Sequence, residues 1–209
     1  RWLQKNSLSH LTLSFSTNLS KIIHRNINII DLLSIFKRVN LSISVDGYGK
    51  SVEYSRHGFK WDNFINNLNY TKKVKKSLIQ GLVCVVNIYS VYSIPLLAEF
   101  CAKNKFNLVF QPCLEPKFLS IQSLPYKEKE KILKYYQSIK KSGKLFFNKE
   151  ISSEVLEYMM KDQINSYTIG EAFYDCKREF KKFNTLLDRT RKESFSEVFP
   201  MLKDWYDSI

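Results

Sequence analysis

Polar side chains that could bind a small ligand follow each predicted strand of this chain. Ser14, Thr17 and Asn18 follow the first strand, and Ser44 and Asp46 follow the second. Gly47 also follows the second strand, Asn87 follows the third, and Gln111 and Glu115 follow the fourth. Ligands of parallel α/β sheets bind outside the carboxyl ends of the strands, and this mixture of groups suits a ribose or an amino-acid moiety. Taken singly, each residue is more typical of a turn that ends a strand.

The spacing of cysteines and histidines argues against a metal or redox site within the chain. No two cysteines have the C-x-x-C spacing, and the histidines lie in three separate segments. The residues concerned are Cys84, Cys101, Cys113, Cys176, His10, His24 and His57. Neither a nucleophile elbow nor a Gly-rich phosphate loop is present in the sequence. Scattered cysteines without a secretory signal predict a cytoplasmic protein.

The charge of the chain is strongly basic, with a formal net charge of +13. Such a charge fits a polyanion such as nucleic acid. However, lysines far outnumber arginines and are spread along the chain, which favours solvated helix faces over a dedicated nucleic-acid surface. No apolar run is long enough to span a bilayer, so we expect no membrane association.

Hydropathy patterning predicts alternating strands and helices over the first 112 residues. Strands are predicted at 11–16, 39–45, 82–88 and 106–111, and helices at 27–38, 61–70 and 96–103. The third strand is almost entirely apolar, which indicates burial on both faces. A polar loop is predicted between the second strand and the second helix. The alternation indicates right-handed βαβ units on a parallel sheet.

The remainder of the chain is predicted to be helical, at about 126–141, 150–164 and 170–190. Its glutamates from Glu128 to Glu157 are predicted to face solvent, so they are poor candidates for a catalytic pair. We expect an α/β unit over 1–125 with a helical extension over 126–209 packed on it. The opening, 1–6, is typical of a helix already under way, so we expect a fragment of a longer protein.

Several segments in a fixed order resemble the second half of radical S-adenosylmethionine (SAM) enzymes. They are S-F-S-T-N-L at 14–19, S-V-D-G-Y-G at 44–49, E-Y-S-R-H-G-F-K-W at 53–61 and V-V-N-I-Y-S at 85–90. The stretches at 114–125 and 187–200 are also similar to that group. The likeness is closest to twitch-domain-containing radical SAM proteins, relatives of the SPASM-type enzymes. It covers nearly the whole chain, and the order of the motifs is more specific than any one motif.

The resemblance implies a partial (βα)6 TIM-like barrel, of which this chain supplies the later strands. In this family a Cys-x-x-x-Cys-x-x-Cys loop holds a [4Fe-4S] cluster that binds SAM and cleaves it to a 5′-deoxyadenosyl radical. The radical abstracts hydrogen from a peptide or small-metabolite substrate. No cysteine of this chain has the required spacing, so the implied cofactors are SAM and a cluster whose ligands lie outside the chain.

The resemblance also implies a set of SAM-binding residues on the first strand. Ser14 matches the position that helps to hold the SAM carboxylate, and Thr17 and Asn18 match the T-N-G stretch beside it. Leu19 departs from this pattern, because it stands where the family has glycine.

Four further residues match positions that the family uses on its later strands. Ser44 and Asp46 match the S-x-D motif near the SAM ribose and methionine. Arg56 matches the basic residue that pairs with the SAM carboxylate, for which a guanidinium has suitable geometry. Asn87 matches the position near the adenine or ribose.

Two hypotheses from different classes follow from the sequence. The first is a fragment of a radical SAM enzyme, inactive alone, and it predicts an open sheet edge where earlier strands would pair. A truncated frame, a split gene or a degenerate paralogue would each produce such a chain. The second is a non-catalytic basic module that binds RNA or another polyanion. It predicts that the lysines of the helical extension converge on one face.

Overall fold

The sheet at the centre of the fold is parallel and has four strands. The computed structural model describes residues 10–142 and 171–209. Its strands are β1 (Thr12–Thr17), β4 (Arg38–Ser44), β5 (Ile79–Val86) and β6 (Leu108–Pro112), in the spatial order β1-β4-β5-β6. Each strand is parallel to its neighbour. The predicted α/β class with a parallel sheet is therefore confirmed.

Helices connect successive strands of the sheet. They are α1 (Ile29–Ser34), α2 (Lys50–Ser55), α3 (Trp61–Lys75) and α4 (Ile94–Asn104). Asn28 caps α1 by accepting a hydrogen bond from the Ile30 N–H at 2.9 Å, and Glu53 accepts one from the Trp61 N–H at 2.7 Å at the start of α3. Because consecutive strands are neighbours and such crossovers are right-handed, the connecting helices fall on one face of the sheet.

The two faces of the sheet differ in burial. The helix-covered face buries alternate residues, among them Leu41, Ile43 and Cys84. On the other face, Ser42, Ser44 and Val83 are only half-buried. The predicted burial of β5 on both faces was therefore wrong, because no described element covers the second face. A parallel sheet is ordinarily covered on both faces, so this open face is unusual.

Two elements of the α/β part were not predicted. A short hairpin, β2 (Ile23–His24) and β3 (Ile27–Asn28), precedes α1, and its second strand lies where the predicted helix 27–38 was expected to begin. It turns through Arg25 and Asn26, both in the left-handed region with φ of 45° and 63°. Helix α2 lies where a loop was predicted. The helix is stabilised because the side chains of Val52 and Tyr54 are buried in the core.

The helical part contains α5 (Tyr126–Ser142), α6 (Glu171–Arg191), α7 (Phe195–Val198) and α8 (Lys203–Asp207). These bounds agree with the predictions at 126–141 and 170–190, whereas 1–6 and 150–164 lie outside the described residues. Glu128 is buried, with 4% exposure, so its predicted solvent-facing position was wrong. Helix α5 is tied to the α/β unit by the Tyr136 hydroxyl, which donates to the Val91 carbonyl at 2.6 Å.

Helix α6 packs on the loop that follows β6. It contacts the 3-10 turn Lys117–Leu119, and its buried side chain Phe180 lies against Phe195 and Trp205. Aromatic pairs of this kind bury large areas and give a well-defined geometry. Across the described ranges, no helix is long and apolar enough to cross a membrane.

Candidate functional site

Asp46 joins three segments at the carboxyl edge of the sheet. Its Oδ2 accepts hydrogen bonds from Arg56, at 2.8 Å from Nε and 2.7 Å from Nη2. Its Oδ1 accepts one from the backbone N–H of Val85 at 3.0 Å. The carboxylate thus links the end of β4, the residue that follows α2, and β5. A charge-assisted pair of this kind is stronger than a neutral hydrogen bond, and it fixes the direction of the guanidinium.

The turn after Asp46 is closely packed against the loop after β5. Gly47 has φ 126°, and a Cβ at this position would lie 2.6 Å from the Ser51 Oγ and 2.8 Å from the Ser93 Oγ. Ser51 in turn donates to the Tyr89 carbonyl at 2.6 Å, and Ser93 accepts from the Tyr48 N–H at 3.2 Å. Only glycine fits both this conformation and this space, so the Asp-Gly dipeptide sets the spacing of the two loops.

Asn87 follows β5 at the same edge and is buried. Its Oδ1 accepts hydrogen bonds from the N–H groups of Tyr89 at 2.9 Å and Ser90 at 3.0 Å. The side chain therefore shapes the turn, as the turn-residue interpretation of these positions predicts. A ligand could use only its remaining amide donor.

The predicted residues of β1 also take part in local turns. Thr17 Oγ1 accepts from the Leu19 N–H at 3.0 Å, and Asn18 Oδ1 accepts from the Ser20 N–H at 3.1 Å. Ser14 lies on the open face, where its Oγ accepts from Asn40 Nδ2 at 3.4 Å. Of the three side chains, that of Ser14 is the one without a hydrogen bond to its own loop in these contacts.

The departure at Leu19 has a structural counterpart. Leu19 adopts φ 53°, a conformation that glycine takes at less cost than a residue with a Cβ. Its side chain is 1% exposed, so burial offsets the strain of this backbone. Leu19 therefore adopts the backbone conformation that glycine favours, and its side chain is part of the core.

The structure brings the predicted residues to one edge of adjacent strands. Thr17 is paired with Ile43 in the β1–β4 register, and Ser44 with Val83 in the β4–β5 register. Neighbouring strands are separated by ~4.8 Å, so Ser44 and Asp46 lie between the residues of β1 and Asn87. This arrangement could hold a small polar ligand across three strand ends.

A buried hydrogen-bond network, which was not predicted from the sequence, connects these loops to helix α6. The Tyr54 hydroxyl lies 3.0 Å from Asn184 Oδ1 and 2.8 Å from Asp188 Oδ1, and the Tyr89 hydroxyl donates to the same Asn184 oxygen at 2.9 Å. Arg191 Nη1 donates to the Tyr54 carbonyl at 2.9 Å. The D-R-T-R stretch at 188–191 was the one sequence feature that pointed to this network. Its partner residue, Tyr54, lies more than 130 positions earlier and could not be identified from the sequence.

Burial dominates the electrostatics of this network. It raises the pKa of Tyr54 above its ordinary value, and the hydrogen bond to Asp188 raises it further. Burial also raises the pKa of Tyr89. Both hydroxyls therefore stay neutral donors at physiological pH. Near Arg56, His57 Nδ1 lies 3.9 Å from Glu193 Oε1, which brings a second residue of the C-terminal stretch to this loop.

The described residues contain no group of three or more His, Cys, Asp or Glu side chains that could hold a metal ion. All four cysteines are free and buried. Burial raises the pKa of Cys84, and that of Cys101 to about 12, so these thiols are protonated core side chains rather than thiolate ligands.

Comparison of the chain with models of known families, with curated proteins and with solved structures gives no match.

Proposed function

We propose that this chain is the SAM-binding, later-strand part of a radical SAM enzyme, of the kind that contains a twitch domain. In that role the strand ends of β1, β4 and β5 hold SAM, and a [4Fe-4S] cluster bound outside this chain supplies the electron for its cleavage. The substrate class that the resemblance implies is a peptide or a small metabolite.

The topology supports this proposal. Four parallel strands in consecutive order, with helices on one face, are what part of a (βα) barrel requires. The second face is open, and on β1 and β4 it carries Ser14, Asn40 and Ser42, polar side chains of the kind that line a ligand-binding barrel. The sheet is also open at β1 across the described residues, which agrees with a fragment that lacks earlier strands.

The Asp46–Arg56 pair carries the proposal most directly. SAM presents a carboxylate, an ammonium group and two ribose hydroxyls, so its recognition needs both acceptors and a cationic donor. Asp46 uses one oxygen for the Val85 N–H and the other for Arg56, while Arg56 uses Nε and Nη2. Because the Arg56 side chain is 29% exposed, its remaining nitrogen can reach a ligand carboxylate without breaking the pair.

Titration of SAM into the purified chain tests the proposal. We expect saturable binding that weakens at least tenfold in Arg56→Ala and in Asp46→Asn. The matched control is Arg178→Ala, which removes an equally short but exposed ion pair with Asp175 on α6. Equal affinity in all four proteins would remove the pair from the SAM site, and absence of saturable binding would contradict the proposal.

A second candidate, a polyanion-binding module, has one observation in its favour. Parallel strands place the amino ends of strands and the carboxyl ends of helices at one edge, and lysines and an arginine gather there. They are Lys37, Arg38, Lys72, Lys73, Lys75, Lys103 and Lys105. However, cations at helix ends are also expected from the helix dipole alone. In the helical extension, Lys131 and Lys134 pair with glutamates of their own helix, which does not favour a shared basic face.

Fluorescence anisotropy with a short RNA duplex distinguishes this candidate. If the edge binds phosphates, Lys73→Glu with Lys105→Glu weakens binding about tenfold, and affinity falls steeply with salt. The control is Lys127→Glu with Lys182→Glu, two exposed lysines of α5 and α6. Equal losses in both double variants would indicate only non-specific attraction by the net charge.

A further inference from the structure

The carboxyl end of α6 contacts the chain on both sides of Arg56. Arg191 is the last residue of α6, and its Nη1 donates to the backbone carbonyl of Tyr54 at 2.9 Å. Just beyond the helix, Glu193 Oε1 lies 3.9 Å from His57 Nδ1. Tyr54 stands two residues before Arg56 and His57 stands directly after it. The helical extension therefore contacts the segment that carries the candidate ligand-binding arginine at two points.

The Tyr54 carbonyl needs a hydrogen-bond donor from outside its own helix. Helix α2 ends at Ser55, and the last carbonyl groups of a helix have no N–H partner further along that helix. Arg191 supplies the missing donor, and a cation at a helix carboxyl end also interacts favourably with the helix dipole. Arg56 caps the same helix end, where its N–H donates to the Val52 carbonyl at 3.0 Å. The Arg191 contact thus stabilises the helix end from which the Arg56 side chain projects.

The position of Arg191 is fixed by the way in which α6 ends. Lys192 adopts the left-handed conformation with φ 55°, and the Glu193 N–H donates to the Asp188 carbonyl at 3.1 Å, which is the pattern of a Schellman motif. Asp188 Oδ1 also lies 2.8 Å from the Tyr54 hydroxyl. The end of α6 therefore holds Tyr54 through both its side chain and its backbone, and this double contact keeps the ends of α2 and α6 in register.

We propose that Arg191 is a positioning residue for the Arg56 guanidinium. By holding the end of α2, it keeps Arg56 paired with Asp46 and keeps the remaining guanidinium nitrogen directed towards a ligand carboxylate. Both Arg56 contacts to Asp46 Oδ2 are short, at 2.8 Å and 2.7 Å, so a backbone shift of about 1 Å would break them. The inference rests on the proposed function only for the identity of the ligand, which there is SAM.

The proposal makes the helical extension part of ligand binding without a direct contact to the ligand. If the end of α6 sets the direction of Arg56, a ligand bound to Arg56 must in turn stabilise the end of α6, because coupling between two sites is reciprocal. The chain also offers a matched control for the contact. Arg189 stands two residues before Arg191 on the same helix end, and its side chain is exposed.

NMR of the arginine side chains, recorded on the full chain without SAM, tests the inference. The Arg56 Nε–H donates to Asp46 and should exchange slowly with solvent, and its signal is assigned by its loss in Arg56→Lys. We expect exchange of this proton to be at least tenfold faster in Arg191→Met and in Arg191→Gln, which lack a donor of sufficient reach. Arg191→Lys keeps a cationic donor and should restore slow exchange to within threefold of the parent. Arg189→Met should match the parent.

Three results would overturn the inference. They are unchanged Arg56 exchange in Arg191→Gln, equally fast exchange in Arg189→Met, and failure of Arg191→Lys to restore slow exchange. If Arg191→Met does not fold, Arg191→Gln and Arg191→Lys decide the question, since both keep a polar side chain at this partly buried position.

Titration of SAM into the same variants separates this inference from the proposed function. We expect SAM affinity to be about fivefold lower in Arg191→Gln and unchanged in Arg189→Met. Fast Arg56 exchange in Arg191→Gln, together with a parent chain that does not bind SAM, would contradict the proposed function alone. Saturable SAM binding with Arg56 exchange unchanged in Arg191→Gln would contradict only the role of Arg191.

Discussion

At the scale of single residues, the polar groups of the candidate site already form hydrogen bonds within the protein when no ligand is bound. Both oxygens of Asp46 have protein partners, and the acceptor oxygen of Asn87 is used by its own turn. Such groups are held in fixed directions, which lowers the cost of ordering them on binding. The same contacts make Asp46 a structural residue as well as a candidate ligand-binding residue.

Asp46→Asn should therefore lower the free energy of unfolding by about 1–2 kcal/mol, because the partly buried pair with Arg56 loses its negative charge while an acceptor for Val85 remains. Urea denaturation measures the change. Asp175→Asn breaks a pair of the same length that is exposed on both sides, and its effect should be close to zero. Equal effects would show that the Asp46 pair is no more than a surface contact.

Lys129 gives the chain a distinctive pH dependence. The side chain is buried, and desolvation lowers its pKa to about 8. The unfolded chain therefore holds this proton up to higher pH than the folded chain does, so the Lys129 contribution to stability rises as pH increases from about 8 towards the ordinary lysine range. Lys129→Met removes this titration, so the parent should gain stability relative to the variant between pH 7 and pH 9.5. Thermal unfolding at both pH values measures it, and a constant difference would contradict the prediction.

At the scale of elements, α6 holds the loops after β4 and β5 together. Asn184 accepts hydrogen bonds from Tyr54, beside the β4 loop, and from Tyr89, in the β5 loop. Asp188 adds an acceptor for Tyr54 and for the Phe195 N–H at 3.0 Å. Because the network is buried, loss of Asn184 would leave the Tyr89 hydroxyl without its acceptor, so the helical extension contributes to the stability of the α/β unit.

Asn184→Leu should destabilise the chain by about 2–3 kcal/mol, since it conserves volume but leaves the Tyr89 hydroxyl without an acceptor. Adding Tyr89→Phe should restore part of this loss, because the orphaned hydroxyl is then removed. Chemical denaturation of both variants, with exposed Leu186→Ala as the control, measures the coupling. Additive effects of the two substitutions would show that the network is not coupled.

The end of α4 offers a stabilising substitution. Lys105 terminates the helix in the left-handed conformation, with φ 57° and ψ 47°, where its Cβ is strained. Lys105→Gly should raise the free energy of unfolding by about 0.5–1 kcal/mol. Lys103→Gly, two residues earlier within the helix, should lower it by a similar amount. If the first variant is also less stable, the left-handed cap is not maintained in solution.

At the scale of the whole molecule, the sequence predicted the parallel layer well and its surroundings less well. The strands around Ile43 and Cys84 were predicted correctly because short alternating or continuous apolar runs are typical of strands, and such patterns depend only on neighbouring residues. Helix α2 was missed because it is short, largely polar and directly preceded by Gly47 and Gly49, and its buried side chains are Val52 and Tyr54. The β2–β3 hairpin was missed because two-residue strands have no period to detect.

The candidate site, too, was only partly predictable from the sequence. Its residues could be chosen from their position after strands, but their partners could not. The Asp46–Arg56 pair spans ten residues and was within reach of sequence reasoning. By contrast, Tyr54 meets Asp188 across 134 residues, and Glu128 is buried by packing that helical periodicity does not report. Both the Tyr54–Asp188 contact and the burial of Glu128 depend on how the helical extension packs, which involves residues far apart in the sequence.

Hydrogen exchange of the chain with and without SAM tests the central claim most directly. We predict that SAM slows exchange at the strand ends around 44–47, 54–58 and 85–87, and leaves exchange at the amino edge of the sheet, around Lys73 and Lys105, unchanged. We also predict that Arg56→Ala abolishes this protection. Unchanged exchange at all three strand ends under saturating SAM, or protection confined to the amino edge, would contradict the account.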